Sequence, residues 1–177
     1  MNIREINKAT YTGRLNKFYL IFFATFACLS LVFGYLLISW FGTTIVDPET
    51  QSNFRFNLLG VILALLLTTL LVNHFKNHPL LDEIYYVWQL KQVHNRIYRK
   101  LAKIKSAGEE GDINALIILA FYFKTTRMVY VLDNNTLTLS KVDLDISKLQ
   151  ESLQEKQINE DVEQLAAKFD QSLITKF

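Results

Sequence analysis

Few side chains in this sequence have the means to do chemistry. His74, His78 and Asp82 follow one another at intervals of four, the spacing that lines metal ligands along one face of a helix. Pro79 falls among them and would interrupt that helix's hydrogen-bond ladder. The three also sit where an apolar run gives way to a charged one, a boundary at which polar side chains need no metal, so no metal site is predicted. His94 lies inside an apolar stripe, where a histidine packs and finds a hydrogen-bond partner; the rival role there is pH sensing. The single cysteine, Cys28, sits in an apolar block, which leaves no disulfide framework and no Cys/His zinc cluster. No glycine-rich phosphate loop, nucleophile elbow or paired serine and base occurs. The sequence therefore predicts no catalytic residue, no cofactor and no enzyme.

The elements that place these residues are dominated by two apolar blocks. About half of the 177 residues are hydrophobic, and their clustering is what a bilayer requires. Phe18 to Val46 carries no Asp, Glu, Lys or Arg, and neither does Phe56 to Phe75. Each is long enough for the roughly 20 residues that cross a hydrocarbon core. We read spans at 18–41 and 56–75, with Trp40 and Phe41 marking one interface and Phe18 and Tyr19 the other. A cleaved signal peptide is the rival reading of the first block, but the apolar run is too long and no A-x-A site follows. A lipoprotein signal would acylate Cys28, yet Thr25 stands where such signals carry a leucine-like residue. Residues 42–55, centred on Asp47-Pro48, read as an external hairpin loop.

Charge orients this hairpin. Residues 1–17 carry four bases against one acid, 76–105 seven bases against two, and 106–177 seven bases against twelve acids. Lysine and arginine thus flank one end of both spans, and the positive-inside rule places both termini in the cytoplasm. The spans also share a packing pattern: Ser30 and Gly34 in the first, and Gly60, Ala64 and Thr68 in the second, all at four-residue spacing. Counted from Lys17 and Lys76, these small residues fall at matching depths, so the two backbones are expected to approach there.

Beyond the second span, residues 76–107 read as one basic amphipathic helix, opened near Pro79 with Asp82 and Glu83 in its first turn and stopped by Gly108. Val87, Leu90, His94, Ile97, Leu101 and Ile104 form its apolar stripe. Arg96, Arg99, Lys100 and Lys103 project opposite. Those bases have three readings: topology signals alone, contacts to anionic lipid head groups, or nucleic-acid contacts, the last disfavoured because no stacking platform accompanies them.

Residues 108–177 read as a small helical domain. One helix, Ile113 to about Val131, is capped by Asp112, with a strand near Met128 to Leu132 as its rival; Asp133-Asn134-Asn135 makes a turn. A helix on Val142, Ile146, Leu149 and Leu153 follows. A last one, on Val162, Leu165, Ala166 and Phe169, is capped by Asn159, and the final residues fray. Neither span has an ionisable group at mid-depth, so transport is disfavoured.

Asn57-Leu58-Leu59-Gly60, Asn73-His74-Phe75-Lys76-Asn77-His78-Pro79, Tyr85-Tyr86-Val87-Trp88-Gln89-Leu90-Lys91, His94-Asn95-Arg96-Ile97-Tyr98-Arg99-Lys100 and Leu132-Asp133-Asn134-Asn135-Thr136-Leu137 resemble an uncharacterised family of small two-span proteobacterial proteins. The resemblance implies an integral inner-membrane protein with a domain of unknown function, and supplies no active-site residues. The fold expected is all-α, a two-span hairpin carrying a cytoplasmic helical domain. The function expected is a non-enzymatic membrane-anchored interaction or scaffold module that binds membrane lipids and a protein partner or a second copy. The alternatives are an anionic-lipid-responsive regulator and an accessory subunit of a transporter or membrane enzyme complex.

Overall fold

The computed structural model describes residues 2–42 and 53–177, so the Asp47-Pro48 hairpin lies outside the described residues. Every regular element among them is helical: α1 (Lys8–Phe41), α2 (Phe54–His74), α3 (Asp82–Tyr98), α4 (Leu101–Glu110), α5 (Ile113–Leu132), α6 (Leu139–Glu155), α7 (Val162–Ala167) and a closing 3-10 turn, Gln171–Lys176. The chain divides into two units, Gly13–Ile84 on the one hand and Met1–Thr12 with Tyr85–Phe177 on the other.

The first unit holds most of α1 and all of α2. Asn7 starts α1, its side-chain oxygen accepting from Thr10 N at 3.2 Å. The helix therefore begins ten residues ahead of the apolar block and carries the basic N-terminal segment into it without interruption. Large apolar side chains stand exposed along both helices, while α2 buries only Gly60, Ala64 and Thr68. After α2 the chain turns over residues 75–81. His78 O accepts from Leu81 N at 2.7 Å and from Asp82 N at 3.0 Å, so α3 starts three residues after Pro79.

The second unit is built around α5, which is apolar on nearly every side because α4, α6 and α7 surround it. Phe121 is its centre, stacked on Phe169 with ring centroids 3.8 Å apart. Asp112 caps α5 by accepting from Asn114 N at 2.7 Å and Ala115 N at 3.4 Å. The helix continues through Met128–Leu132, where the rival strand was drawn. Asn134 then takes a left-handed φ of 57° in the turn, a conformation asparagine tolerates. The first residues of the chain join this unit: Tyr86 Oη donates to Asn2 O at 3.1 Å and accepts from Arg4 N at 3.1 Å.

Four sequence expectations are corrected here. The single basic helix of 76–107 is instead a turn followed by α3 and α4, broken at Lys100, whose N–H reaches back three residues to Ile97 O at 2.9 Å. No proline or glycine marks this break; it coincides with a tertiary contact, Lys100 Nζ donating to Ile174 O at 2.9 Å. Gly108 does not stop the helix but lies buried within α4, where a Cβ would meet Leu119 Cδ1 at 2.9 Å; the stop is Gly111, at φ 93°. The cap of α7 is Asp161, not Asn159: its carboxylate accepts from Gln164 N at 2.7 Å while Gln164 Oε1 accepts from Asp161 N at 3.1 Å, a capping box. The last residues, expected to fray, form a 3-10 turn with Ile174 buried and Asp170 capping it through Ser172 N.

Candidate functional site

Four groups of residues could carry function: the seam between α1 and α2, the groove beside it, the basic face of α3 and α4, and the histidines.

At the seam the structure brings the small residues together. A Cβ added to Gly60 would stand 2.6 Å from Gly34 N and 2.9 Å from Gly34 Cα, so the two backbones touch there, and a Cβ on Gly34 would meet Asn57 Oδ1 at 3.1 Å. Ala64 is fully buried one turn further along α2. Ser30 keeps its hydroxyl within α1, donating to Phe26 O at 2.8 Å. Thr68 is buried, with no partner for its hydroxyl among the described residues.

Beside Thr68, toward the His74 end of α2, a groove of about 330 Å³ opens between the helices, walled by Phe18, Phe22, Thr25, Thr68 and Val72 among others and closed by Leu80 and Leu81. The sequence reading missed this groove. Its signal is a gradient of size along the two facing ridges. On α1 the positions four apart from Gly34 run Ser30, Phe26, Phe22 and Phe18; on α2 those from Gly60 run Ala64, Thr68 and Val72. Small residues bring the backbones into contact at one end, and Phe18 and Phe22 line the groove at the other.

Arg96, Arg99, Lys100 and Lys103 do not form one equivalent face. Arg96 donates to Gln171 Oε1 at 3.1 Å, and Lys100 to Ile174 O at 2.9 Å, so the C-terminal turn engages both. Arg99 and Lys103 are exposed. Val87, Leu90, Ile97 and Ile104 of the opposite stripe are buried, with His94 and Leu101 partly so.

His94 is a buried polar contact within that stripe. Its Nε2 lies 2.8 Å from Thr125 Oγ1, whose proton goes to Phe121 O at 2.6 Å. The threonine oxygen therefore accepts, and the imidazole is neutral with its proton on Nε2. Burial, seconded by the nearby Lys91 ammonium, holds its pKa down at about 4. His78 uses Nδ1 to accept from Leu80 N at 3.2 Å and His74 packs edge-on against Phe75. Among the described residues no group of His, Cys, Asp and Glu is arranged to hold a metal.

Among the described residues, three helices are long and apolar enough to cross a membrane: α1, α2 and α5. No curated protein matches the chain, and no solved structure does. A family described as a protein of unknown function, DUF3087, matches residues 1–169. With all but the last few residues covered, the chain belongs to the DUF3087 family.

Proposed function

We propose that this protein is a membrane-anchored, non-enzymatic interaction module. In this reading α1 and α2 cross a bacterial inner membrane as a hairpin, and the unit built on α5 binds a protein partner or a second copy from the cytoplasm. The observation that carries it is the contrast among the three apolar helices: 6% of the apolar window of α1 and 17% of that of α2 are buried within the protein, against 67% for α5. Lipid would cover the first two, whereas the third already has protein around it. The docking of Asn2 and Arg4 on Tyr86 supports an even number of crossings, since both segments must lie on one side of the membrane. The bases flanking the His74 end of α2 and the start of α1 favour the cytoplasmic side.

Crosslinking in native membranes followed by mass spectrometry tests the interaction reading. A stable protein partner or a second copy is the expected product; recovery of neither would sink it. Recovery of a transporter or membrane enzyme would instead make the chain an accessory subunit. The exposure of Arg99 and Lys103 favours a second reading, in which the basic face of α3 and α4 senses anionic lipid. Replacing Arg96, Arg99, Lys100 and Lys103 by glutamine should then remove the preference for anionic lipid.

A further inference from the structure

The outward face of α3 carries a tryptophan that the core does not use. Val87, Leu90, Val93 and Ile97 are buried. Trp88, Gln92, Asn95 and Arg99 follow one another at intervals of four, three and four, so they share the opposite face, and all four are exposed. Trp88 is 53% exposed, and its ring stacks on Tyr85, one turn earlier, with centroids 5.6 Å apart and an interplanar angle of 18°. This face therefore opens on two stacked aromatic rings and ends on an arginine, with polar side chains between. A large apolar ring left outside the core is the informative exception on such a surface.

We infer that this face of α3 docks on a lipid surface, with the stacked pair Tyr85 and Trp88 entering the head-group layer of the membrane that α1 and α2 cross. The inference rests on the reading of α1 and α2 as membrane spans. Chain connectivity selects lipid over another occupant. α3 begins eight residues after α2 ends, through a turn in which Phe75 O accepts from His78 N at 2.9 Å and His78 O from Leu81 N at 2.7 Å. Tyr86, next in sequence to Tyr85, is held a second time by Asn2 and Arg4, just ahead of α1. Tethered at short range to both spans, the pair meets the bilayer surface at an effective concentration that a diffusing partner does not match. Tryptophan and tyrosine favour that layer because the body of the ring is apolar while its N–H or O–H stays wet. Charge has a smaller part here, since Arg96 and Lys100 are engaged with the C-terminal turn. The rings hold the face to lipid, and salt, which screens exposed charges, leaves that contact in place.

The chain has two tryptophans, so Trp40→Phe leaves Trp88 as the sole indole fluorophore. The test uses that full chain in nanodiscs, one copy to a disc, made from phosphatidylcholine brominated near the carbonyl end of one acyl chain. Trp88 emission should be quenched by the bromines, shifted to shorter wavelength than that of free N-acetyltryptophanamide, and protected several-fold from acrylamide in the water. The quenching should survive high salt and the glutamine variant of Arg96, Arg99, Lys100 and Lys103. Full access of acrylamide without quenching by bromine would overturn the proposal. Protection from both quenchers would overturn it too, by placing protein rather than lipid over the ring. Loss of the bromine quenching in salt or in the glutamine variant would assign the contact to charge and remove the aromatic pair as its cause. Impermeant labelling of cysteines on either side of the hairpin separates the two failures. If α1 and α2 do not cross, the membrane reading has failed; if they cross while Trp88 stays open to acrylamide, only the docking of α3 has.

Discussion

His94 enters the fold without its charge, and that has a consequence for pH. Thr125, Tyr122 and Lys91 face the ring, and none of them favours an imidazolium. With the folded pKa at about 4 against about 6.5 when unfolded, the unfolded chain binds the extra proton first as pH falls. Stability contributed by the neutral ring is therefore complete above about pH 6.5 and is lost as pH drops toward 4, by roughly 3 kcal/mol. Denaturant unfolding of the α5 unit, followed in the full chain in detergent, should show that slope, and His94→Gln should flatten it. An unchanged slope in the variant would assign the acid sensitivity to other groups. The stripe that holds His94 was legible in the sequence from its spacing. Thr125 was not, because its partner lies in another helix and no local pattern marks a threonine that answers a histidine 31 residues away.

At the scale of elements, the α1–α2 crossing stands on two glycines. Gly60→Leu must drive a side chain into the Gly34 backbone, and overpacking of this kind costs about 1 to 3 kcal/mol. Leu66→Ile on the exposed side of α2 should change little. A membrane unfolding assay that finds both variants equally stable would remove the seam as a source of stability. This crossing was readable from small residues at equal depth, since close approach demands them whatever the surroundings. Element ends were harder. Gly108 and Gly111 are equally good stop signals in a sequence, and only the packing of Leu119 against Gly108 decides between them. The break at Lys100 had no local signal at all. The capping box of Asp161 and Gln164 was present in the sequence, but Asn159 is also a good cap residue and stands nearby.

For the whole molecule, the proposed topology makes a direct prediction. In a Cys28→Ser background, cysteines placed at Thr50 and at Ser106 should be labelled from opposite sides of the membrane by an impermeant reagent. Labelling of both from outside would sink the arrangement. The sequence carried the two apolar blocks and their flanking bases plainly. It left α5 ambiguous in principle, because a helix buried by protein and one buried by lipid have nearly the same composition; what separates them is the cover supplied by α4, α6 and α7.

The clasp between Asn2 and Tyr86 joins residues 84 positions apart, and this sets an order of events during synthesis. The amino-terminal segment leaves the ribosome first, yet its docking surface on α3 is translated only after both long apolar helices. Until then the leading segment has nothing to hold. In the proposed topology, closure of the clasp would report that the hairpin between has been made and that its two ends have come back to the same side. Under that topology, a chain whose second helix failed to insert would emerge with that latch open.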